Sequence, residues 1–110
     1  MGSEKVVPGY NVMGAAKAAL EAGVRYLAED LGPSGIRVNA ISAGAVKTLS
    51  ARGIKDFSSI LEHTRQRAPL RKNIEPEEIA DATVFLLSDM SKGITGEVLH
   101  VDCGMNIIGV

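Results

Sequence analysis

The chain has 110 residues, with 12 lysines and arginines against 13 aspartates and glutamates, a formal net charge of −1, 45% hydrophobic residues and one cysteine. That balance argues against a nucleic-acid or anionic-membrane partner, and no apolar run approaches the roughly 20 residues that span a bilayer. The lone Cys103 excludes an internal disulfide and has no zinc-ligand spacing around it, which predicts a metal-free protein of the reducing cytoplasm.

Residues 1–9 contain no signal-peptide apolar region, and Val6 stands where a myristoylation signal has Ser or Thr. Pro8-Gly9 breaks the chain and opens a long helix, about Tyr10 to Leu31, with apolar residues at Val12, Ala16, Ala19, Leu20, Val24, Leu27 and Leu31. Tyr10 and Lys17 are seven residues apart on it. Seven residues make about two turns, so the two side chains share a face, roughly 10 Å apart at their backbones. Gly14 lies on that face and leaves room for a flat ligand. A phenol that can donate a hydrogen bond, beside a cation and a gap, suits the reduction of a carbonyl. On spacing alone an ordinary helix pair, with the phenol at an interface and the lysine solvated, is the commoner arrangement.

Gly32-Pro33-Ser34-Gly35 stops the helix. The β-rich run 36–41 predicts a buried strand, ending in the small residues Ser42-Ala43-Gly44-Ala45. The carboxyl end of a strand is where open α/β sheets bind ligands. Residues 46–69 predict a lid or substrate loop, in which Phe57, Ile60, Leu61 and Thr64 line one face of a short helix. A plain packed surface helix is the alternative. Glu75-Pro76-Glu77-Glu78 predicts a helix start for 76–89, with Ile79, Thr83, Leu86 and Leu87 on its inner face. A second strand follows at 97–101. His63 and His100 receive no role.

Two strands joined through a helix imply a parallel sheet. Such a sheet wants cover on both faces and more than two strands. The expected fold is therefore α/β. Residues 1–110 read as a single partial domain, the C-terminal part of a Rossmann-like doubly wound parallel sheet without its N-terminal dinucleotide-binding strands.

Tyr10-Asn11-Val12-Met13-Gly14-Ala15-Ala16-Lys17, with Leu20-Glu21 and Arg25-Tyr26-Leu27-Ala28, resembles the active-site helix of the bacterial enoyl-acyl-carrier-protein reductases, a branch of the short-chain dehydrogenase/reductase superfamily. Gly35 to Gly44 resembles the following strand and cofactor turn, Gly53-Ile54-Lys55-Asp56-Phe57 the substrate loop, and Gly96 to Asp102 the last strand. Most of the superfamily places Tyr and Lys four apart. Here Met13 holds that position and cannot donate a proton, so the wider spacing argues against a ketoacyl or sugar-alcohol dehydrogenase.

The resemblance implies hydride transfer from NADH to a trans-2-enoyl thioester on acyl carrier protein, in fatty acid elongation. It makes Tyr10 and Lys17 catalytic. Lys17 would also hold the cofactor, with Gly44, Val46, Lys47, Thr48, Leu49 and Ser50. Tyr10, Met13, Ile54 and Phe57 would contact the substrate. It implies a homo-oligomer, commonly a tetramer. Two departures stand out. Ala45 replaces the usual Pro of the cofactor turn. The family's second active-site tyrosine would fall just before Met1, and its glycine-rich pyrophosphate turn also lies upstream. No G-x-G-x-x-G occurs here. The expectation is a chain inactive alone, with the origin of Met1 and the choice between NADH and NADPH left open. The alternative is a non-catalytic chain that keeps only assembly surfaces.

Overall fold

The structure is a computed structural model that describes residues 3–8, 10–47 and 57–109. Helix α1 (Asn11–Leu31) begins one residue after Tyr10, which caps it at φ −106° and ψ 19°. The Tyr10 N–H donates to the Val7 carbonyl at 3.0 Å, and the Tyr10 carbonyl accepts from the Gly14 N–H at 2.8 Å. At the other end a short 3₁₀ turn (Gly32–Ser34) carries Pro33 in its second position and closes on Gly35 at φ 74°. That left-handed angle suits a residue without a β-carbon.

Strand β1 (Ala40–Ala43), helix α2 (Phe57–Arg67), helix α3 (Pro76–Leu87) and strand β2 (Val98–Val101) follow in order. β1 and β2 form a two-stranded sheet. The Ala40 N–H donates to the Glu97 carbonyl at 2.9 Å, and the Gly44 N–H donates to the Val101 carbonyl at 3.0 Å. Residue numbers rise together along the two strands, so the pairing is parallel, as the strand–helix–strand order demands.

The first strand is shifted from the expected 36–41 to Ala40–Ala43. The reason lies in where residues 37–39 spend their hydrogen bonds. The Val38 N–H goes to Thr95 Oγ1, the Arg37 guanidinium to the Ile94 carbonyl, and the Asn39 amide to the Ile94 carbonyl and the Glu97 N–H. β-rich composition marked the run, but side-chain contacts, with one backbone bond from the Gly96 N–H to the Val38 carbonyl, hold residues 37–39. Within 46–69, where a lid or substrate loop with a short helix was expected, lies the 11-residue α2. Helix α3 stops at Leu87, short of the expected 89. Ser88 turns extended there, with its N–H and Oγ both on the Phe85 carbonyl. Leu87, expected on the inner face, is 81% exposed, whereas Leu86 is buried.

The chain divides into two compact units, 1–40 with 89–99 and 41–88 with 100–110. In the first, Val24 and Ala28 of α1 are buried, and a β-carbon on Gly96 would lie 3.5 Å from that of Ala28. Much of the apolar stripe on α1 stays open, with Val12 80% exposed and Leu20 and Leu27 about half exposed. The core of the second unit is Ala68, Ile74 and Cys103, with Val46, Ile79, Val101 and Met105 packed on it.

Glu78 anchors the start of α3. Its carboxylate accepts from the Glu75 N–H at 2.9 Å and pairs with the Lys72 ammonium. The Lys72 hydrogen bond, then the Glu75 N–H, holds the Glu78 carboxyl below its ordinary value of 4.5. A lowered folded value means stability present above about pH 4.5 that drains as pH falls through the folded value. On acidification the Glu75 amide resonance is expected to lose its hydrogen-bonded shift below the ordinary carboxylate range, and Glu78→Gln removes this step from the NMR titration.

The turn after β2 yields a second prediction. Gly104 sits at φ 85°, and a β-carbon there would lie 2.8 Å from Pro69 Cγ, while one on Gly35 at φ 74° would meet nothing within 4 Å. Gly35→Ala therefore carries only the backbone cost, about 1 kcal/mol. Gly104→Ala adds overpacking, for about 3 kcal/mol in all. Urea denaturation of the two variants separates these contributions.

Candidate active site

The first cluster forms where α1 begins. Tyr10 is held at the cap by its own backbone hydrogen bonds, and its side chain is 38% exposed. Lys17 is exposed further along the helix. Among the described residues neither the phenol nor the ammonium has a hydrogen-bond partner, so both remain open to a ligand. An open groove of about 420 Å³ runs between residues 3–8 and the first turns of α1. Tyr10, Asn11, Gly14, Ala15 and Ala18 lie along it. Gly14, where room for a flat ligand was expected, and Tyr10 both border this groove. Lys17 and the half-exposed Met13 are not among its lining residues. The Ser3 hydroxyl donates to the Glu21 carboxylate, which ties residues 3–8 along the helix. Composition gave no signal for that contact.

The expected cofactor turn follows β1. A β-carbon on Gly44 would lie 3.1 Å from both Cα and Cβ of Asp102 and 3.5 Å from Ile74 Cγ2. Glycine lets the chain after β2 come this close without displacing it. Val46 packs against the Ala68–Ile74–Cys103 core, and Lys47 is exposed. Phe57, the first residue of α2, is partly buried. Thr48, Leu49, Ser50 and Ile54 lie outside the described residues.

Asp102 was not singled out by sequence, yet it organises the next turn. Its carboxylate accepts from the Gly104 N–H at 3.0 Å, the Asn106 N–H at 2.8 Å and the Asn106 side-chain amide at 3.2 Å. The signal was an Asp two residues before a Gly, which is turn chemistry. Beside it a shallow cavity of about 330 Å³ is lined by Ile74, Glu78, His100, Asp102 and Cys103. The described residues contain no group of three His, Cys, Asp or Glu able to hold a metal. Burial raises the Cys103 thiol above its ordinary value of 9.0, so it stays protonated at neutral pH. Among the described residues no helix is long and apolar enough to cross a membrane.

The chain's likeness to known proteins is extensive. The family model described as enoyl-(acyl carrier protein) reductase matches residues 1–106. The enoyl-[acyl-carrier-protein] reductase [NADH] FabI of Bacillus cereus is 60% identical over 109 residues, which are 99% of this chain and 43% of that protein. Its counterpart in Bacillus subtilis is 62% identical over 107 residues, 97% of this chain and 42% of that one. Among solved structures, the Bacillus cereus enoyl-acyl carrier protein reductase with NADP+ and indole naphthyridinone superimposes with a TM-score of 0.95 at 59% identity, over 100% of this chain and 43% of its own. The Anaplasma phagocytophilum enoyl-(acyl-carrier-protein) reductase in complex with NAD gives 0.89 at 52% identity, over 99% and 39%. The fold is thus the α/β, Rossmann-like fold of these reductases, and the chain spans about two-fifths of the length of the relatives it matches.

The contact at Gly44 makes its own prediction. Gly44→Ala forces β1 and the chain after β2 apart by a few tenths of an ångström, at about 1–3 kcal/mol. The change is expected to lower the urea midpoint and to speed amide exchange at Gly44 itself.

Proposed function

The chain belongs to the enoyl-(acyl carrier protein) reductase family, and from that premise we propose that it contributes the catalytic helix and cofactor turn of an NADH-dependent reductase of trans-2-enoyl thioesters on acyl carrier protein. The observation that carries this reading is Tyr10 and Lys17, both without partners among the described residues and seven residues apart along the start of α1, in a chain that matches the family over nearly its whole length. NADH, when bound, supplies the hydride. The donor set suits its nicotinamide end. The Lys17 ammonium is a mobile cation with three donors, fit for the ribose hydroxyls. Gly44, Val46 and Lys47 would border the cofactor from the turn after β1, with Thr48, Leu49 and Ser50 continuing it.

Tyr10 acts on the substrate. As the β carbon gains hydride, negative charge builds on the thioester oxygen. The phenol donates a hydrogen bond to that oxygen, and the bond strengthens as the charge grows. A donor of this kind lowers the barrier because it favours the transition state over the ground state. Lys17 adds positive charge near the same oxygen. Met13, Ile54 and Phe57 would line the acyl pocket. The exposed apolar residues of α1 support assembly into a homo-oligomer, and the free, buried Cys103 supports residence in the cytoplasm.

A second reading rests on the exposed apolar residues of α1, Val12, Leu20, Tyr26 and Leu27: a chain that assembles without catalysing. One assay separates them. NADH oxidation is followed with a short enoyl thioester, for the chain alone and with the uncovered part of the Bacillus cereus relative supplied in trans. Turnover that falls about 10²-fold in Tyr10→Phe and shows a raised KM for NADH in Lys17→Ala is the expected result. No turnover in either arm, with a stable oligomer by light scattering, rejects catalysis in favour of assembly.

A further inference from the structure

The two strands do not fix their own alignment. β1 and β2 have four residues each, and neither shows the alternation of buried and exposed side chains that makes a one-sided strand choose its register. Backbone rungs do not choose either. They repeat every two residues, so a slip by two restores the same kind of bond. Something outside the ladder has to select the observed register, in which Gly44 lies against Asp102.

Asn39 has the required geometry. Its Nδ2 donates to the Ile94 carbonyl at 3.0 Å, and its Oδ1 accepts from the Glu97 N–H at 3.0 Å. The two partners are three residues apart, on either side of Thr95-Gly96. The amide therefore reads a turn of one shape rather than a repeating edge. Gly96 makes that shape with φ 76°, and its N–H reaches the Val38 carbonyl at 2.7 Å. A slip of β1 by two residues would carry Asn39 out of reach of this pair. It would also bring Ser42 or Val46 to the place where a β-carbon meets Asp102 at 3.1 Å.

We propose that Asn39 is a positioning residue: by clamping the turn at 94–97 it sets the register of β1 against β2 and so delivers Gly44, rather than a residue with a side chain, to the start of the cofactor turn. The inference rests on the proposed reading only for calling that turn a cofactor site. The register itself is independent of it.

The test uses the ¹⁵N-labelled chain, read by amide exchange and by the proton cross-peak between Gly44 and Asp102. In Asn39→Leu, which keeps the γ-branched shape and removes both bonds, protection of the Gly44 N–H is expected to fall about tenfold more than that of the α3 amides, with loss of the Gly44–Asp102 cross-peak. Asn39→Asp keeps the acceptor for the Glu97 N–H and is expected to recover part of the loss. A merely stabilising role lowers protection by one factor everywhere. That result, or an intact cross-peak in Asn39→Leu, overturns the proposal. Should Asn39→Leu fail to fold, Asn39→Asp decides: a selective loss at Gly44 upholds the clamp and an unchanged Gly44 refutes it. NADH titration of the parent chain, read at the Gly44–Lys47 amides, reports separately on the cofactor reading. Its silence would sink that reading and leave the register result standing.

Discussion

A parallel pairing of two four-residue strands carries the organisation of this chain, and everything else is arranged so that so short a ladder can form. Parallel neighbours cannot be joined by a tight hairpin, so 54 residues intervene between Ala43 and Val98 and include α2 and α3. Both ends of the ladder are reinforced from outside it. At the entry, side chains of residues 37–39 and Thr95 bind the turn before β2. At the exit, the Gly44 N–H meets the Val101 carbonyl, and the absence of a β-carbon lets the chain after β2 come close. The turn that follows is then fixed by the Asp102 carboxylate and its three donors.

The helix that bears the candidate catalytic pair obeys different physics. Its first turn is set by backbone bonds at Tyr10, not by a polar side-chain cap. A phenol is an unusual choice for that position, since Ser, Thr, Asp and Asn cap helices better. The helix accepts a weaker start and keeps the phenol where a ligand can reach it. The groove beside it is floored by Gly14, Ala15 and Ala18, whose small side chains leave the space that bulkier residues would fill.

Much of this was legible in sequence because it rests on local rules. The spacing of Tyr10, Gly14 and Lys17, the stop at Gly32-Pro33, and the Pro and acids that open α3 all act within one or two turns, and the structure has helices at those places. The boundaries of the first strand were not legible. The run 36–39 has β-rich composition, but the bonds of Arg37, Val38 and Asn39 go to residues more than fifty positions away, and no local pattern encodes that. Leu87 was misassigned because helical period alone cannot tell an inner residue from one a turn edge away. The roles of Asp102 and Asn39 were hidden for the same reason: each is an ordinary polar residue whose value comes from where the fold brings its partners. The residues matched to the nicotinamide and acyl contacts came from the family likeness, since no spacing rule singles out Val46 or Met13. Val46 in fact packs on the core.

One buried group adds a property of a different kind. Cys103 sits at φ 57°, in a region that residues with a β-carbon rarely occupy, buried beside Ala68 and Ile74, and that burial pushes its thiol above the ordinary value. An enclosed, protonated thiol is a poor nucleophile. With 6% of its surface exposed, its reaction with an alkylating reagent speeds up with any opening of the turn that uncovers it. The rate of its modification is therefore a clock for that opening, written into the molecule as its single sulfhydryl. The chain carries its own label for the breathing of the segment on which its parallel sheet ends.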